Sequence, residues 1–154
     1  MTMKEIFIQF AGENHIPVGE LKLEPEAPDQ LYIRLDGENG CYEGHAMFLE
    51  EERMFIFYVV LGVRVPEEKR EPVSAWLLNL NYSLKAGQFY IEEKTGELTA
   101  RTAQYMAGAD WEKRDLLETL VLGCGRTADH FYPEPPYRMH IQAAITVLRS
   151  QYQM

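Results

Sequence analysis

The chain has 154 residues and a mass of 17.9 kDa, which sets an expectation of one domain with its own hydrophobic core. Its 24 acidic and 15 basic side chains leave a formal charge of -9, the wrong sign for a protein that grips nucleic acid or an anionic membrane. Apolar residues at 46% exclude a disordered chain, and the longest nearly apolar stretch, residues 54–63, is about half of the ~20 residues that a membrane-spanning helix needs.

The N-terminus reads as a short amphipathic helix. Thr2 and Glu5 stand at capping-box spacing, and Met3, Ile6, Phe7 and Phe10 recur on one helical stripe. Gly12 and Asn14 supply a stop, and Pro17 prevents continuation. Residues 24–30, with Pro25 and Pro28, read as an extended acidic connection within the domain. A meander of three strands follows. Leu31, Ile33 and Leu35 alternate with Tyr32 and Arg34, residues 36–40 are turn formers, residues 41–49 resume, and residues 50–53 turn again.

Residues 54–63 form a strand that is apolar on both faces. Phe55, Phe57, Val59 and Leu61 line one side, and Met54, Ile56, Tyr58 and Val60 the other. A half-exposed antiparallel strand alternates apolar with polar, so both faces of this one call for cover.

Residues 66–84 carry the clearest helical stripe, Val73, Trp76, Leu77, Leu80 and Leu84. Pro72 lacks an N–H, so the regular helix is placed from about residues 70–72, after an irregular turn that starts at Pro66. Residues 88–93 and 97–105 read as a hairpin around Lys94, Thr95 and Gly96. Asp110 is an N-cap for a helix from Trp111, with Leu117, Leu120, Val121, Cys124, Ala128 and Phe131 on its stripe. Pro133, Pro135 and Pro136 end it, and a last helix over residues 137–152 carries Ile141, Ala144, Ile145 and Leu148. The order α-β-β-β-α-β-β-α(-α) implies an α+β fold of two layers, an antiparallel sheet with helices packed on one face.

No catalytic, cofactor-binding or metal-ligating set emerges. Residues 123–128 match G-x-G-x-x-A, and residues 119–122 before them could be read as a strand. A dinucleotide site also needs a β-α-β unit and an acid about 20 residues later. Position 143 is Ala and no acid follows Glu134, so the glycines are read as a close helix approach or a local break. Cys124, with His130 or His140 as base, is the one candidate nucleophile, but it lies on the apolar stripe of its helix and reads as a core residue. His15, His45, His130 and His140 show no ligand spacing. A calcium loop opening at Asp36 would need an acid where Met47 stands. Glu50, Glu51 and Glu52 read as solvated charge at a hairpin turn. Cys41 and Cys124 form no CxxC pair, and without an export signal both are expected as reduced thiols in the cytoplasm.

The charge is unevenly spread. Residues 1–62 hold 12 acids and 4 bases (-8), and residues 63–154 hold 12 acids and 11 bases (-1). The acidic front solvates turns and favours a basic partner.

From Val63 the stretch VRVPEEKREPVSAWLLNLNYSLKAGQFYIEEKTGELTARTAQYM resembles the YbjN family of small bacterial proteins. The resemblance rests on the proline-acid-base lead-in, the LLNLN helix end with Asn79 and Asn81, and the Gly-x-Phe strand at Gly87 to Phe89. It covers roughly residues 54–140 and marks residues 1–154 as a single YbjN-like domain. It implies a fold similar to type III secretion chaperones, which are small, acidic, cytoplasmic and generally dimeric, and hold partner segments without chemistry. The family carries the description sensory transduction regulator. Asn79 and Asn81 suit helix ends, where an amide satisfies carbonyls. The expectation is a non-enzymatic homodimer that binds a protein client or regulatory partner, with no nucleic acid, membrane or cofactor, and with Ile56, Tyr58 and Val60 as the partner or dimer surface. The alternative is a small-molecule-binding regulator or enzyme with a pocket near Cys124.

Overall fold

The elements run α1 (Met3–Glu13), β1 (Val18–Leu21), β2 (Asp29–Asp36), β3 (Cys41–Leu49), β4 (Met54–Arg64), a single 3-10 turn (Glu67–Lys69), α2 (Arg70–Ser83), β5 (Gln88–Ile91), β6 (Glu97–Tyr105) and α3 (Arg114–His130). The computed structural model describes residues 2–21, 29–84, 86–106 and 114–130. The class is the expected one, α+β in two layers. The sheet has six strands in the order β1-β2-β3-β4-β6-β5, every neighbouring pair antiparallel. One strand was not foreseen. Residues 18–21 pair with β2, Val18 opposite Ile33 and Glu20 opposite Leu31. The expected Asp110 cap and the expected helix over residues 137–152 lie outside the described residues.

Alternation decides which face each side chain takes. Leu31, Ile33 and Leu35 of β2, Tyr42, Ala46 and Phe48 of β3, and Phe55, Phe57, Val59 and Leu61 of β4 are all buried. The registers Ala46↔Phe57 and Val59↔Ala100 carry that row on into β6, and Phe89 of β5 joins it opposite Ala100. Helices cover this face. Phe7 of α1 meets Phe48 edge-on at 5.5 Å and lies 6.0 Å from Phe55. Val73 and Leu77 of α2, and Leu117, Val121, Cys124 and Ala128 of α3, complete the core.

The helix termini are tied down locally and at long range. Thr2 Oγ1 accepts the Glu5 N–H at 3.1 Å and the Glu5 carboxylate accepts the Thr2 N–H, which is the expected capping box. Glu50 corrects the reading of residues 50–52 as solvated charge. Its carboxylate reaches across from the β3–β4 turn and accepts the N–H groups of Met3 (2.9 Å) and Lys4 (3.3 Å), donors that a helix leaves free in its first turn. As foreseen at Pro72, regular helix begins at Arg70, after the 3-10 turn.

Asn81 does something other than finish its own helix. Its Nδ2 donates to the Phe89 carbonyl (2.8 Å), and its Oδ1 accepts the Phe89 N–H (2.7 Å). The side-chain amide thus pairs with the outer edge of β5 as a neighbouring strand would.

The G-x-G-x-x-A match lies wholly within α3, and residues 119–122 are helical, so no strand leads into it. The glycines permit close packing instead. A Cβ at Gly125 would stand 3.0 Å from Leu35 Cδ1, and one at Gly123 would stand 3.2 Å from Ala86 Cβ. At the end of α3, Asp129 accepts hydrogen bonds from the Glu38 N–H (2.9 Å), the Asn39 N–H (2.9 Å) and the Tyr42 hydroxyl (2.6 Å). The 36–40 turn wraps this half-exposed carboxylate, with Asn39 Nδ2 donating back to the Asp129 carbonyl.

Candidate functional site

The second sheet face carries the sites of interest. Cross-strand register sets His45 of β3 beside Tyr58 of β4, Tyr58 beside Arg101 of β6, and Arg101 beside Gln88 of β5. The row on one side pairs Met47 with Ile56, and the row on the other pairs Val60 with Thr99 and Thr99 with Tyr90. These residues, Gln88 apart, line a groove of about 560 Å³. Ile56, Tyr58 and Val60 therefore stand together on its floor, as the alternation of β4 requires, and each is half-buried.

Tyr58 and His45 stack, with ring centroids 4.8 Å apart and planes 8° from parallel. His45 Nε2 lies 3.3 Å from a Glu43 carboxylate oxygen, and its side chain is only 13% exposed. Burial pushes the imidazole pKa below its ordinary value, and the Glu43 carboxylate opposes this only in part, so His45 is neutral at pH 7. With Nε2–H directed to Glu43, the other ring nitrogen is a lone-pair acceptor. That Nδ1 is buried and has no hydrogen-bond partner among the described residues. Burial likewise raises the Tyr58 phenol, helped by Tyr90 and Glu43. It also raises that of Tyr90, against the pull of Arg101. Both phenols are protonated at neutral pH.

The remaining candidates are placed apart from this face. Cys124 is fully buried, and desolvation pushes its thiol up to about 12, so the thiolate that nucleophilic chemistry needs is not formed at pH 7. A hollow of about 150 Å³ between the sheet and α3 is lined by Leu35, Tyr42, Gly125, Arg126 and Asp129 among others, and Cys124 is not on its wall. His130 ends α3, and His140 lies outside the described residues. Cys41 is exposed, and its Sγ donates to Asp36 at 2.8 Å. Among the described residues, no three His, Cys, Asp or Glu side chains gather as a metal would require, and no helix is long and apolar enough to cross a membrane.

His45, Tyr90, Thr99 and Arg101 were not singled out from the sequence. A signal for the first was present. The 50–53 turn sets Leu49 opposite Met54, and counting back along both strands brings His45 opposite Tyr58. The others depend on β4 pairing with β6 across the intervening helix and β5, which no local pattern specifies.

No family model matches the chain, and no curated protein or solved structure shows significant similarity to it.

Proposed function

We propose that this chain is a non-enzymatic, YbjN-like cytoplasmic protein that dimerises and holds segments of partner proteins as a chaperone-like adaptor or regulator. The observation that carries this reading is the face of β3, β4, β6 and β5 that the described helices leave uncovered. Helices pack on the opposite side of the sheet, while Ile56, Tyr58 and Val60 floor a groove lined from all four of these strands. Tyr suits an interaction surface because its ring is apolar and its tip polar. A second apolar patch supports self-association. Leu78 and Tyr82, one turn apart on the outer surface of α2, are 72% and 95% exposed. On this reading the groove takes the partner segment and the α2 patch takes the second copy.

Light scattering on the full chain tests the dimer. The expected mass is twice 17.9 kDa, falling to the single-chain value in a Leu78→Glu, Tyr82→Glu variant. A monomer at all accessible concentrations overturns that half of the proposal. Selection from a random peptide library tests the other half, with binding expected to be lost in Tyr58→Ala. An absence of any peptide ligand overturns it.

A further inference from the structure

The described helices leave the second sheet face uncovered, and Met47, Ile56, Tyr58 and Val60 stand half-buried there. The sequence holds a matching apolar surface. Residues 137–152, which lie outside the described residues, carry Ile141, Ala144, Ile145 and Leu148 at helical spacing. On the other side of the sheet, α1, α2 and α3 already close the core. Where α3 delivers the chain joins the two surfaces. Asp129 accepts the N–H groups of Glu38 and Asn39, so α3 ends at the β2–β3 turn. β3 leaves that turn at Cys41 and sets Glu43 opposite Val60, so the Val60 end of the groove is the near one. Residues 131–136, with Pro133, Pro135 and Pro136, span up to about 20 Å when extended. Passing from a helix layer on one face of a sheet to a layer on the other takes two spacings of about 10 Å. A helix over residues 137–152 would be about 24 Å long. The strand from Val60 back to Met54 runs about 20 Å. Charge favours the same match. Residues 131–154 hold 1 acid and 2 bases (+1), whereas residues 1–130 hold 23 acids and 13 bases (-10).

From these observations we infer that residues 137–152 of this same chain dock in the groove over Ile56, Tyr58 and Val60, with the stripe of Ile141, Ala144, Ile145 and Leu148 laid on its floor. This rests on the reading of the groove as a surface for polypeptide, and makes the chain's own tail its first ligand. A partner segment then enters by displacing the tail. A short linker holds the tail at an effective concentration of about 1 mM, so a tail affinity of about 100 μM weakens any added peptide about tenfold.

Cross-linking of the full chain tests the placement. In a Cys41→Ser background, Ala144→Cys is combined with Met47→Cys in the groove or with Leu78→Cys on α2, and a short bis-maleimide is added to dilute protein. Buried Cys124 stays unreacted. Intact mass is expected to show one linker bridging a single chain for the Met47 pair and none for the Leu78 pair. A bridge at Leu78, or at neither, overturns the inference. A bridge between two chains overturns it in favour of a second copy as occupant. Fluorescence anisotropy then tests the competition, with a labelled, capped peptide of residues 137–152. It is expected to bind an Ile141→Asp, Leu148→Asp full chain about tenfold tighter than the wild-type chain, and to lose that binding when Tyr58→Ala is added. Equal binding to the wild-type and tail-substituted chains overturns occupancy by the tail and leaves the groove as a peptide site. Binding to neither overturns the inference alone, because the peptide-library selection tests the groove separately.

Discussion

Asp129 offers the sharpest quantitative test of the fold. A carboxylate in the last turn of a helix opposes the helix dipole, an unfavourable placement of about 0.5 kcal/mol. It is offset by the hydrogen bonds from Glu38, Asn39 and Tyr42, of which only that from Tyr42 is partly buried. A hydrogen bond to a charged group contributes about 1.5–3 kcal/mol, and solvent screening lowers the two exposed bonds to nearer 1 kcal/mol each. Asp129→Ala is therefore expected to destabilise by about 3–4.5 kcal/mol, after relief of the dipole penalty. Asp129→Asn retains an acceptor for Asn39 and Tyr42 but turns an amide group toward the Glu38 N–H, and should cost about 1–2 kcal/mol.

The pH dependence of this site has a definite sign. Burial alone would raise the Asp129 pKa, but the hydrogen bonds from Tyr42, Asn39 and Glu38 outweigh it and hold the group below its ordinary 3.8. The unfolded chain thus binds the proton more readily than the folded one. The stabilisation is present in full above that ordinary value and is lost as pH falls through the lower folded-state pKa. Urea unfolding of wild type and Asp129→Asn should show a gap at pH 7 that narrows below about pH 4. A gap smaller than about 0.5 kcal/mol at pH 7, the range of an ordinary surface substitution, or a gap that ignores pH, would refute the account.

Three further outcomes are expected. Asn81→Ala leaves the Phe89 N–H and carbonyl without their side-chain partner and should cost about 1–3 kcal/mol, with faster hydrogen exchange at the Phe89 amide by NMR. Glu50→Ala removes the long-range cap of α1 and should cost about 1 kcal/mol in chemical denaturation, whereas Glu51→Ala, at the exposed turn beside it, should be near neutral. Iodoacetamide followed by intact-mass measurement should modify exposed Cys41 in the native protein, with buried Cys124 reacting only after denaturant is added.

What the sequence revealed and what it concealed follow a physical division. Elements whose burial is written in local periodicity were legible: the capped α1, the alternation of β2 and β4, the displaced start of α2, and the hairpin turned by Gly96 at φ 76°. β1 was not, since its residues are few and its second, Gly19, has no side chain to show a period. That glycine leaves room for the Tyr32 ring, which a Cβ there would strike. Interactions between distant segments were also hidden. Glu50 reads as one of three turn acids, and nothing near it in sequence shows that it caps a helix beginning at Met3. Asn81 was read as a helix finisher, and its work on β5 depends on how α2 lies against the sheet edge. The groove was half legible. Ile56, Tyr58 and Val60 follow from a strand too apolar for one buried face, while Tyr90, Thr99 and Arg101 depend on the β4–β6 pairing.

The pairing of Asn81 with Phe89 also bears on the edge that the sheet presents. A sheet with open edges is a template for strand addition, and β5 would be such an edge if its outer backbone groups were free. At Phe89 they are occupied by a side chain that belongs to a helix and cannot propagate a ladder. Lateral growth of the sheet through β5 is blocked at its centre, which leaves the four-residue β1 as the other border of the sheet. Strand addition at this border of the sheet is thereby disfavoured by a side chain and not by a further strand.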